Sequence, residues 1–260
     1  MSMNSKVIAI TGGASGIGLA TASMLLTRGA TVCIGDIIPS TLETAKTTLS
    51  ALLSDSNSSS SQAKGTFHLS QLDVSKIQEV DAWIAGIVKE HGRLDGAANC
   101  AGVIGKKHGI TKLVELEDEE WERIIGVNLT GLMYCLRAEL RAVASGGSIV
   151  NVSSIQGVMG FPGSAAYVAS KHGVIGLTRA AAKEVCDREI RVNAVTPGSI
   201  MTPLLQKAQE MNPEEGVGMP NAIKRVGTAE EMAGIICFLL GPDSTYVTGA
   251  AYAGDGGWNC

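Results

Sequence analysis

Val7-Ile8-Ala9-Ile10-Thr11-Gly12-Gly13-Ala14-Ser15-Gly16-Ile17-Gly18 is the stretch on which the fold turns. The first five residues read as a buried strand and the glycines as a tight turn, and the segment Gly16–Arg28 behind them has helical periodicity. No lysine followed by serine or threonine closes the turn, so it is not a P-loop. Glycines here let backbone N–H groups approach a pyrophosphate, and the helix N-terminus adds a partial positive charge. The turn alone is a weak signal, because a strand-to-helix connection can need glycine for its own geometry.

The same alternation continues along the chain. Short apolar runs at Thr31–Asp36, Thr66–Leu72, Leu94–Asn99, Ser148–Ser153, Arg191–Thr196 and Ala250–Ala253 predict further strands. Helix candidates lie between them at Thr41–Leu53, Ser75–His91, Glu119–Ala144, Ala165–Asp187 and Ala229–Leu240. Strands that alternate with helices and read as continuously apolar predict a seven-stranded parallel sheet covered on both faces. The expected architecture is therefore α/β, one doubly wound Rossmann domain spanning 1–260. Two segments depart from the pattern. Ser54 to Gln62 is a serine-rich stretch with nothing to bury, expected as a flexible loop; Ser199 to Gly227 mixes apolar residues with prolines and glycines and is expected to cover a ligand as a lid.

Composition bounds the function. With 45% hydrophobic residues in a chain of 260, one large core can form. A formal net charge of −4 gives no electrostatic reason for nucleic acid or an anionic membrane as partner. The six cysteines show no CxxC pair, and the four histidines show no metal-ligand spacing, so neither a disulfide framework nor a metal site is expected. The apolar run after Lys6 is too short for a secretory signal, and none elsewhere reaches a membrane span, which points to a cytoplasmic protein.

Three further features carry chemistry. Asp36 ends the second strand about 20 residues after the glycines, where a carboxylate accepts from ribose hydroxyls and repels a 2′-phosphate. Its neighbours Ile37 and Ile38 supply no cation for such a phosphate, which favours NAD over NADP. Tyr167 and Lys171 are spaced i and i+4 and share one helix face. An ammonium beside that phenol, with a cationic nicotinamide ring, would favour the phenolate and lower its pKa. Ser153 and Ser154 end the fifth strand, at the sheet edge where ligands bind; being adjacent they point to different sides, and only one can partner the tyrosine.

These motifs, in this order, resemble the short-chain dehydrogenase/reductase family over essentially the whole chain. Thr11-Gly12-x-x-x-Gly16-x-Gly18 is similar to its cofactor turn, with Ser15 and Ile17 within it, and Leu72-Asp73-Val74 to its adenine-side element. Asn128, Ser154, Tyr167 and Lys171 match its catalytic set, and Ser154 rather than Ser153 has the thirteen-residue spacing to the tyrosine. Pro197-Gly198 and Thr202, with Ile200 between them, match the segment that holds the nicotinamide amide. The family's Asn-Asn-Ala-Gly is here Asn99-Cys100-Ala101-Gly102, so packing is expected where an amide usually bonds. The resemblance places Asn99 beside the cofactor ribose and within the sheet.

The resemblance implies that Tyr167 exchanges a proton with the reacting oxygen while hydride moves to or from the nicotinamide B face. It implies that Ser154 binds that oxygen, that Lys171 contacts the ribose, and that Asn128 holds a water relaying protons from Lys171. Ser154, Gln156, Tyr167, Phe161, Met201 and Leu205 are the substrate candidates, with Ile104, Ile155, Met159, Leu204 and Trp258 as apolar neighbours. An apolar or cyclic ketone or alcohol is the expected small-molecule substrate. The resemblance also implies a homotetramer or homodimer meeting through Glu119–Ala144 and Ala165–Asp187. Two alternatives keep the fold: epimerisation or dehydration through transient oxidation, and a nucleotide-binding scaffold without turnover. A methyltransferase using S-adenosylmethionine would leave the Tyr-x-x-x-Lys pair and Ser154 unexplained.

Overall fold

Apolar strands that must bury both faces need a helix layer on each side. The computed structural model, which describes residues 2–54, 64–212 and 221–260, has that arrangement. Its strands are β1 (Val7–Thr11), β2 (Thr31–Asp36), β3 (Thr66–Gln71), β4 (Gly96–Asn99), β5 (Ser148–Val152), β6 (Arg191–Pro197) and β7 (Ala251–Gly254). Among the described residues they form one seven-stranded sheet in the order β3-β2-β1-β4-β5-β6-β7, with every pairing parallel.

Within a strand, alternate side chains serve opposite layers. Ile8 and Ile10 of β1 pack with α1 (Gly16–Thr27), α2 (Pro39–Ser54) and α8 (Ala229–Leu240). Val7 and Ala9 pack on the other face with α3 (Ile77–His91), α5 (Leu132–Ala142) and α6 (Ala165–Glu184). Continuous burial is thus confined to the inner strands. The edge strand β3 is only half-buried, which departs from the uniformly apolar reading of its sequence.

The chain starts at β1 and runs outward to β3, then returns to β4 on the other side of β1 and runs outward to β7. Neighbouring connections therefore diverge at the carboxyl ends of β1 and β4, and the crevice opened there is where open α/β sheets take ligands.

Two helices differ from their sequence pattern. The long helix expected over Glu119–Ala144 is interrupted: α4 (Asp118–Ile125) passes through a π-helical turn, Gly126–Gly131, into α5. The widened turn carries Asn128 buried against the loop after β4, where Val103 N–H donates to its Oδ1 at 2.8 Å and its Nδ2 donates to Val103 O at 2.9 Å. Such turns occur mostly at functional sites. Within the expected lid, Pro203–Met211 forms helix α7, capped by Thr202, whose Oγ1 accepts from Leu205 N–H, with Pro203 preset for the first turn. Residues 213–220 of that segment, and the serine-rich stretch beyond Ser54, lie outside the described residues.

Candidate active site

One cavity of about 490 Å³ runs along the carboxyl ends of the strands. At one end lies the glycine turn. Gly12 has φ +62°, a conformation in which a side chain is strained, and a Cβ there would sit 2.7 Å from Ala101. A Cβ on Gly18 would meet Gly12 O at 2.3 Å. Only glycine lets these three backbone segments close into a cradle. The lid leans on it as well, since the Thr202 methyl would lie 3.2 Å from a Cβ on Gly16.

Asp36, buried at the end of β2, crosses to this turn: Ala14 N–H donates to its Oδ2 at 3.1 Å and Ile38 N–H to its Oδ1 at 3.2 Å. Asp73 accepts from the backbone and hydroxyl of Ser75 through Oδ1 and, with Val74, forms the wall after β3. Ser15, Ile17, Ile37, Ala101, Gly102, Pro197, Gly198 and Ile200 complete this half of the cavity. Bare backbone beside a buried carboxylate and an apolar rim suits a dinucleotide, with the glycine turn for its pyrophosphate and Asp36 for ribose hydroxyls.

Asn99 holds neighbouring strands together from the end of β4. It does not line the cavity. It lies beneath, where Thr11 Oγ1 donates to its Oδ1 and its Nδ2 donates to Glu139 Oε2 at 2.8 Å and to Asn151 Oδ1 at 3.1 Å. Its side chain therefore ties β1, β4, β5 and α5 together. Cys100 does line the cavity, and burial pushes its thiol up to about 12, so it stays protonated and packs as an apolar group.

At the other end Ser154, Tyr167 and Lys171 converge. Ser153 Oγ is turned away and donates to Lys171 O at 2.8 Å, whereas Ser154 Oγ lines the cavity and accepts from Gln156 N–H. Lys171 Nζ donates to Val152 O at 2.9 Å and stands 5.6 Å from the centre of the Tyr167 ring. The phenol pKa responds first to burial. Burial raises it to about 12, and the Ser154 hydrogen bond opposes this only in part. The ammonium sits over the ring and on a carbonyl, so desolvation dominates. Burial likewise lowers Lys171 to about 8.

The Asn128 side chain does not line the cavity. Its two amide protons go to Val103 O and to Ser170 Oγ, which itself donates to Tyr167 O. The water-holding role implied by the resemblance is therefore not one for its amide protons, which instead link the loop after β4 to α6.

Among the substrate candidates, Gln156, Leu205, Ile104, Ile155, Leu204 and Trp258 line the cavity, and Met159, Phe161 and Met201 do not. Phe161 packs edge-on against Trp258 with centroids 5.6 Å apart, and Met201 is exposed. The chain leaves the cavity after the short turn Ile155–Gly157, which carries Phe161 behind Trp258.

His108 is a cavity residue that sequence reading missed. It stands in an irregular loop with no periodicity to mark its direction. Outside the cavity, His68 of β3 and Glu90 and His91 of α3 come together with ligand atoms within 4.8 Å of one another. Among the described residues, no helix is long and apolar enough to cross a membrane.

Comparison with known proteins agrees with this geometry. Residues 12–259 match the family model described as enoyl-(acyl carrier protein) reductase. The chain is 54% identical to the short-chain dehydrogenase/reductase ABA4 of Pyricularia oryzae, over 97% of this chain and 91% of that one. It is 37% identical to a cyclohexanol dehydrogenase of Acinetobacter sp., over 98% and 95% of the two chains. The crystal structure of levodione reductase superposes with a TM-score of 0.86 at 32% identity, covering 98% of this chain and 97% of the other. With its parallel sheet, glycine cradle and Ser–Tyr–Lys cluster, the chain belongs to the short-chain dehydrogenase/reductase family, NAD(P)(H)-dependent oxidoreductases acting on CH–OH groups.

Proposed function

We propose that this chain, acting as one catalytic domain, interconverts a secondary alcohol and a ketone on an apolar or cyclic substrate, with NAD(H) preferred over NADP(H). The observation that carries this reading is a single cavity with the glycine cradle and Asp36 at one end and Ser154, Tyr167 and Lys171 at the other. A bound nicotinamide supplies or accepts the hydride. In reduction Tyr167 is the general acid, and its high pKa keeps the phenol protonated until negative charge develops on the substrate oxygen. Ser154 hydrogen-bonds the same oxygen as that charge grows. Lys171 keeps a positive charge below about pH 8, which favours phenolate when the reaction runs as oxidation. Asn128 acts as a positioning residue for α6.

Asp36 supports NAD because a 2′-phosphate would meet a buried carboxylate, while the cations lining the cavity among the described residues, Lys171 and Lys207, are on α6 and α7. An apolar substrate is supported by Ile104, Leu204, Leu205 and Trp258, and by relatives named for cyclohexanol and levodione. Free thiols at all six cysteines support a reducing, cytoplasmic setting. By resemblance to the family, this reading includes assembly into a homodimer or homotetramer through α4–α5 and α6.

The test follows reduced-nicotinamide absorbance over a panel of cyclic ketones and alcohols with each cofactor. Tyr167→Phe should retain NADH binding by fluorescence and lose about 10³-fold in kcat, within the range for a general acid. A variant that turns over at the wild-type rate would overturn the proton-transfer role.

A further inference from the structure

Two neutral polar side chains, His108 and Gln156, line the cavity near Ser154 and Tyr167. His108, from the loop after β4, meets the Tyr167 ring edge-on, with centroids 5.1 Å apart and planes at 79°. Its Nε2 lies 3.5 Å from Nε2 of Gln156. Gln156 is fixed from below, its backbone N–H donating to Ser154 Oγ at 3.1 Å. Its own Oε1 is buried and has no partner among the described residues. Turning the amide over would give that oxygen to His108 and strand the nitrogen instead, so one polar atom lacks a partner either way. A buried polar atom without a partner is costly and is retained where something else completes it.

Burial lowers the His108 pKa to about 4, so the ring is neutral at physiological pH and carries one N–H and one lone pair. Two neutral groups, each able to donate and accept, suit an uncharged oxygen better than a carboxylate or phosphate. They sit beside Tyr167, so an oxygen bound there belongs to the same molecule as the reacting carbon.

We propose that His108 and Gln156 form a second polar subsite, which binds a hydroxyl or carbonyl oxygen remote from the reacting carbon. The preferred substrates are then dioxygenated rings, diketones, hydroxyketones or diols, over their mono-oxygenated counterparts. This rests on the alcohol–ketone reading of the site.

The experiment compares cyclohexane-1,4-dione with cyclohexanone, NADH as reductant, in wild type, His108→Leu and His108→Asn. NADH binding serves as the folding control. Leucine keeps the bulk of the partition that His108 and Tyr167 form between the main cavity and a neighbouring one of about 250 Å³. The intrinsic reactivity difference between the two ketones cancels when wild type and variant are compared. The dione-over-monoketone ratio of kcat/KM should fall about tenfold in His108→Leu, mostly through KM, because a remote contact acts alike in ground and transition states. His108→Asn should recover part of the ratio.

A merely structural role, supporting Tyr167, would lower both substrates equally. An unchanged ratio, with or without loss of rate, overturns the subsite. If wild type turns over neither ketone nor the corresponding alcohols with either cofactor, the alcohol–ketone reading fails, and this one with it.

Discussion

Glu139 offers a measurable consequence of the way the cavity floor is built. It is a fully buried carboxyl on α5 whose Oε2 accepts from Asn99 at 2.8 Å and whose Oε1 has no partner among the described residues. Burial raises its pKa from 4.5 to about 7, and the Asn99 hydrogen bond pulls the other way. Between those two values the folded protein keeps a proton that the unfolded chain has released. Stability therefore falls as pH rises from 4.5 to about 7, and the full penalty persists above that. At about 1.36 kcal/mol per pH unit, this interval of roughly 2.5 pH units is worth about 3 kcal/mol.

Glu139→Gln keeps an acceptor for Asn99 and replaces the carboxyl proton with amide hydrogens, so it matches the neutral form. The variant should be more stable than wild type by up to about 3 kcal/mol near pH 8, with most of that gain gone near pH 5. Urea unfolding of the cofactor-free protein at both pH values measures the difference. A gain of equal size at the two pH values, or none at the higher one, would refute the claim that burial of the charge sets this cost.

Four other substitutions probe separate parts of the site. Asp36→Ala should raise NADP(H) kcat/KM relative to NAD(H) by tenfold or more, and a wild-type preference for NADP(H) would show that Asp36 has been misread. Gly18→Ala puts a methyl 2.3 Å from Gly12 O and should cost over tenfold in NADH affinity by fluorescence titration, with far-UV circular dichroism unchanged; wild-type affinity would contradict the cradle. Ser153→Ala loses a buried hydrogen bond and should cost ~1 kcal/mol in unfolding free energy, while Ser154→Ala should cost about 10²-fold in kcat. The opposite assignment of the two effects would mean the serines are interchanged.

The layered fold was legible in the chain because its signals are local. An apolar run such as Val7–Thr11 must be buried on both faces, and a turn containing Gly12 and Gly18 must bring backbones within side-chain distance. Tyr167 and Lys171 meet because a helix spaces them one turn apart, and that follows from sequence once the helix is known. The departure at Asn128 was not legible, because a π-helical turn differs from an α-helix by less than a hydrophobic pattern resolves.

What only the tertiary structure decided concerns side chains whose neighbours come from other loops. His108 enters the cavity while Phe161 packs on Trp258, and the Asn99 side chain turns to Glu139 and Asn151. Tyr167 is pushed to about 12 although Lys171 is its neighbour, because desolvation is a property of everything around the phenol. Periodicity encodes which face of an element is buried. It carries no information on the path of an irregular loop or on the dielectric surroundings of a group, and those are what give this site its chemistry.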